Sequence, residues 1–146
     1  MKLIAHRGLI AGPDSNLENS PDQITRALTA GYDCEVDLRV IDGKLYLGHD
    51  QADYEIPESF LKQSGLWIHC KNVAALDFCH DDINLNYFWH NTDDYTLTSR
   101  GYVWAYPGRE LTKWSIMVMP EWEDPTLTNT INVNCFGICS DYVSKL

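Results

Sequence analysis

The hydrophobic positions of this chain fall in short apolar runs separated by turn-rich connections, a pattern that predicts strands. Strands are expected over 2–6, 33–40, 44–48, 66–71, 86–90, 102–106, 115–119 and 135–140. Two intervals carry helical spacing instead. Residues 20–30 open on Ser20-Pro21, a cap followed by the residue favoured at the first helical position. Ile24, Ala27 and Leu28 fall on one face of that segment, and Gly31 closes it. Residues 72–80, with Val73, Leu76 and Phe78, form a shorter helix. Beyond about residue 90, Pro107-Gly108, Pro120 and Pro125 disfavour long helices. Strands alternating with helices in the first half suggest a parallel sheet of βα units, so the expected class is a lean α/β fold. No repeat, low-complexity tract or linker divides the chain, and residues 1–146 read as one domain.

Charge narrows the partners. With 21 acidic against 11 basic residues the chain stands at −10, which argues against nucleic acid and against anionic membrane surfaces. An anionic small substrate would need a local positive centre, such as a metal ion or a tight basic pocket. No stretch approaches the roughly 18 apolar residues of a membrane span, and no secretory run precedes the first charges. The five cysteines are odd in number, lack C-x-x-C spacing and lie mostly in strand-like segments. They read as reduced and structural, which points to the cytoplasm.

Three clusters at strand ends could carry chemistry. His6-Arg7-Gly8 follows the apolar run Leu3-Ile4-Ala5, and Gly8 permits a sharp exit that leaves imidazole and guanidinium side by side. Glu35 and Asp37 alternate on one face of their strand with Arg39, opposite Cys34, Val36 and Leu38. That face is either a solvated edge or an interior one, and an interior pair of carboxylates calls for a divalent cation. His49-Asp50 follows the turn at Asp42-Gly43, which folds 44–48 back along the carboxylate strand. A strict two-residue turn would set His49 opposite Val36, on the wrong face, so a bulge or an early end of pairing is required.

Together with Glu18-Asn19-Ser20, these elements resemble the signature of the glycerophosphodiester phosphodiesterase family across about the first 50 residues. Gly137-Ile138-Cys139-Ser140-Asp141-Tyr142 is similar to that family's last strand. The resemblance implies a small, reduced (β/α) TIM-like barrel of the phospholipase C-like phosphodiesterase type, with several outer helices shortened or missing. A full barrel takes about 250 residues, so 146 must shorten the crossovers or leave the barrel incomplete, and a homo-oligomer could cover bare strands. It further implies His6 and His49 as acid and base, Glu35 and Asp37 as ligands of one divalent metal, and Arg7 as a phosphate contact, with Glu18, Asn19 and Asp50 in support. Lys71 joins Arg7 as a phosphate contact.

The family commonly places a third, glutamate ligand two residues before that lysine; here the position is His69. His69 is either the third ligand, favouring manganese or zinc over the family's magnesium or calcium, or a satisfied strand histidine or substrate contact. His80 and His90 match nothing in the family pattern and read as structural. Tyr87, Phe88, Trp89, Trp104 and Tyr106 read mainly as core, with one or two lining a pocket mouth. The function expected from the resemblance is cleavage of a small phosphodiester, through a cyclic phosphate where a hydroxyl neighbours the ester. A lyase that stops at the cyclic phosphate and a non-catalytic binder of a phosphorylated ligand are the alternatives.

Overall fold

The computed structural model describes residues 1–146, the side chain of Ile131 excepted. Ten strands form one mixed sheet. In chain order they are β1 (Lys2–Ala5), β2 (Asp33–Ile41), β3 (Lys44–Leu47), β4 (Tyr54–Ile56), β5 (Leu66–Cys70), β6 (Tyr87–Phe88), β7 (Tyr95–Leu97), β8 (Val103–Ala105), β9 (Ser115–Val118) and β10 (Gly137–Ser140). The helices are α1 (Pro21–Thr29), the single turn α2 (Glu58–Leu61) and α3 (Val73–His80). Strands β6-β5-β2-β1-β10-β9-β8 lie side by side and parallel, while β7 runs antiparallel on β8 and the β3–β4 hairpin antiparallel on β2.

Strand alternation sorts two cores. Cys34, Val36, Leu38, Ile68 and Cys70 turn one way and meet Ile24 and Ala27 of α1 and Ala75 and Cys79 of α3. On the other face Ile4, Trp67, Phe88, Trp104, Ile116 and Cys139 pack together. Phe88 and Trp104 stand on the outermost strands of the parallel run, yet their ring centres lie 4.4 Å apart. The sheet therefore curls around that second core.

The curl is not the TIM-like barrel expected above. No strand pairing joins β6 to β8 among the described residues, and three of the ten strands are not part of the parallel run. Past α3 the connections hold only turns and one-turn 3₁₀ segments. The physical cause is local. The link from β8 to β9 spans only residues 106–114 and contains Pro107-Gly108, where a helical crossover needs at least about 10–12 residues. The prolines that argued against helices in the second half leave too little material for a helical coat. The fold is an open, curled mixed sheet with sparse helices.

Candidate metal centre

The centre is built on β2 and β5. Parallel pairing sets Glu35 beside Trp67 and Asp37 beside His69, and alternation sends all four side chains to the inner face. The carboxylate face is thus an interior one: Glu35 is 2% exposed and Asp37 0%. One ligand atom from each of Glu35, Asp37 and His69 lies within 4.8 Å of the others. His69 Nδ1 stands 3.2 Å from Asp37 Oδ1 and 3.4 Å from Glu35 Oε1. Lys71, just past β5, brings Nζ to 3.8 Å from the same Asp37 oxygen.

Asn19 fixes Asp37. β1 pairs only with the start of β2 and β3 only with its end, so the Asp37 N–H lies in a gap between the two ladders. The Asn19 side chain fills that gap. It accepts from the Asp37 N–H at 2.9 Å and donates to Oδ2 at 2.9 Å, from a residue held at a φ of 57°. Asp37 Oδ1 is buried with no hydrogen bond of good geometry and is faced by His69 Nδ1 and Lys71 Nζ. A buried carboxylate oxygen in that state is costly unless a cation serves it.

The donor chemistry fits such a cation. The His90 carbonyl can only accept, so His69 Nε2 carries the proton across their 2.9 Å contact, and Nδ1 is the atom turned to the carboxylates. Burial disfavours a charged imidazole there, but Asp37 and Glu35 outweigh it and push the His69 pKa up to about 9. For Asp37 burial favours the acid, yet His69, Arg7 and Asn19 hold its pKa well below the usual carboxylate range. Without metal, a proton on Nδ1 thus occupies the space between the carboxylates. The group is able to hold a metal ion once that proton leaves.

His6 and Arg7 occupy a 3₁₀ turn directly after β1, with Arg7 in the left-handed region at φ 51°. Gly8 follows at φ 79°, pressed so close to Ile24 that an added Cβ would lie 3.0 Å from its side chain. The turn aims the Arg7 N–H at Glu35 Oε2, 3.1 Å away. The guanidinium reaches Glu18 at 2.8 Å and Asp37 at 3.2 Å, so Glu18 steers it while Arg7 offsets the buried carboxylates. His6 donates from Nδ1 to Asp141 Oδ1 at 2.8 Å, and its Nε2 lies 4.0 Å from Glu35. Burial works against a proton on His6; the Asp141 hydrogen bond and the Glu35 charge prevail and raise its pKa.

His49 reaches the site through an early end of pairing. Asp42 and Gly43, at φ 50° and 75°, make a two-residue turn of the I′ type, and the β2–β3 ladder stops at Leu38–Leu47. Gly48 then bends at φ 150°, where a Cβ would fall 2.0 Å from the Gln51 carbonyl oxygen. Arg39 donates to the Gly48 and His49 carbonyls and holds the bend. His49 Nδ1 bonds Asp50 at 2.8 Å.

A cavity of about 370 Å3 gathers His6, Arg7, Glu35, His49, His69 and Lys71. Asp37, Glu18 and Asn19 support these groups through the bonds described, and Asp50 stays at the surface behind His49. Every candidate residue from the sequence therefore belongs to one neighbourhood. Asp141 was not singled out from the sequence, and His90 was read as structural. Asp141 follows β10, whose register against β1 aligns Ala5 with Ser140, so the next residues, His6 and Asp141, emerge together. That adjacency is invisible until the strands are placed side by side. His90 follows β6 and lines the same cavity.

Compared with known proteins, the chain matches no family model, no curated protein and no solved structure. Among the described residues no helix is long and apolar enough to cross a membrane.

Proposed function

We propose that this chain is a metal-dependent phosphodiesterase that cleaves a small, glycerophosphodiester-like substrate. The observation that carries the reading is the buried Glu35–Asp37–His69 group at a cavity walled by both His6 and His49. A cation bound there would polarise a non-bridging phosphate oxygen and offset charge that builds on it. Two carboxylates with one imidazole suit manganese or zinc better than calcium or magnesium.

The protein's own groups do the rest. Arg7 and Lys71 donate to phosphate oxygens. His49, the more open imidazole, takes the proton from a substrate hydroxyl next to the ester as that oxygen bonds to phosphorus. His6, whose pKa is raised, gives its Nε2 proton to the alkoxide as the old P–O bond breaks. Asp141 steadies the imidazole through Nδ1. Water then opens the cyclic phosphate by the reverse proton path. A reducing, cytoplasmic setting suits the five free thiols, four of them buried.

The test is turnover of a panel of glycerophosphodiesters by the purified chain, with manganese and with chelator, products read by phosphorus NMR. Metal-dependent release of a phosphomonoester is expected. Accumulation of the cyclic phosphate alone would make the protein a lyase, and no turnover with manganese bound would overturn catalysis.

A further inference from the structure

The cavity has two unlike halves. The metal-binding group, Arg7, Lys71 and His49 make one side polar, whereas Trp104, Tyr106, Val118, Met119 and Trp122 make the other apolar. Trp122 is 61% exposed and Tyr106 41%, and their rings meet edge to face with centres 6.5 Å apart. Side by side on the cavity wall, the two rings offer a flat apolar face next to the polar side.

His90 marks the junction of the halves. Its ring centre lies 6.3 Å from that of His69 and 6.1 Å from that of Tyr106. Its carbonyl orients His69, and its Nδ1 donates to Asp93 at 2.8 Å. The same device holds His6 on Asp141 and His49 on Asp50, each at 2.8 Å. In all three an aspartate engages Nδ1, and among the described residues none hydrogen-bonds Nε2.

We propose that Tyr106 and Trp122 form the subsite for the alcohol side of the phosphodiester, and that this alcohol carries a flat, unsaturated ring. This rests on the functional reading above and names its substrate class. The phosphate sits over the polar half, and the ring stacks on the exposed aromatic pair. A flexible aliphatic alcohol would fill the same space without the stacking gain.

Binding separates this inference from catalysis. Phenyl phosphate and glycerol 3-phosphate are titrated calorimetrically into the full chain, each with manganese and with chelator. Phenyl phosphate should bind about tenfold more tightly than glycerol 3-phosphate. Trp122→Ala should reduce that preference to under about threefold without weakening glycerol 3-phosphate. Tyr106→Ala, which removes the other ring, should reduce the preference in the same way. Equal wild-type affinities, or an unchanged preference in both Trp122→Ala and Tyr106→Ala, would overturn the subsite. Ligand binding indifferent to manganese would instead count against the metal-dependent reading.

Discussion

His6 and His49 stand on different turns and reach the cavity by different routes, but each is held through Nδ1 by an aspartate, with no hydrogen bond to Nε2 among the described residues. His6→Ala and His49→Ala should each lower turnover by about two to four orders of magnitude, the usual loss for a general acid or base. Neither imidazole anchors a core, so far-UV circular dichroism should remain that of the wild type. Turnover within threefold of wild type in either variant would remove that residue from the proton path. His69 behaves differently because its pKa is raised to about 9. Its ion pair with the carboxylates contributes stability that is fully present below the ordinary imidazole value of about 6.5 and lost as pH rises through about 9. The melting temperature of the metal-free chain should therefore fall across that window, and His69→Gln should flatten the fall. Metal must displace the same proton, so affinity should rise with pH up to about 9, a higher window than an unperturbed histidine would give. His69→Glu should move selectivity toward magnesium and calcium, and calorimetry on the two variants checks both statements.

The β2–β3 hairpin shows how much an element contributes to placing one side chain. Gly48 ends the ladder so that His49 leaves the strand rather than facing outward with the wrong parity. Gly48→Ala would force a Cβ against the Gln51 carbonyl and should cost about 2 kcal/mol in denaturant unfolding, with turnover lost beyond the stability effect. The need for that break was legible in advance, because the parity of a strict turn contradicted the placement of His49. Glu35 and Asp37 on one face were likewise legible from alternation, as were the start and apolar stripe of α1, although Ser20 at the cap position makes no side-chain cap hydrogen bond. Strands β4 and β7 were not. Tyr54-Glu55-Ile56 and Tyr95-Thr96-Leu97 are short and half exposed, and they become strands only through antiparallel partners already in place. The aspartate behind His6 was hidden for the same reason, since it depends on β10 lying beside β1.

The expected barrel failed at the level of the fold, yet the candidate residues share one cavity because their placement does not need a closed barrel. They sit on β2 and β5 and just after β1, β3 and β5, where parallel pairing sets the register of β1, β2 and β5 and the hairpin sets that of β3. The missing helical coat affects the far half of the sheet, where proline-broken connections instead bring Tyr106 and Trp122 to the cavity mouth. A chain at −10 also gains from neutralising two buried carboxylates, so manganese should raise the melting temperature of the chelator-treated protein. The most direct measurement is calorimetric titration of manganese into that protein at pH 7, repeated in buffers of different ionisation enthalpy. One ion per chain should bind with release of about one proton, the one His69 carries between Glu35 and Asp37. Absence of saturable binding by the folded protein, or binding with no proton released, would contradict the account.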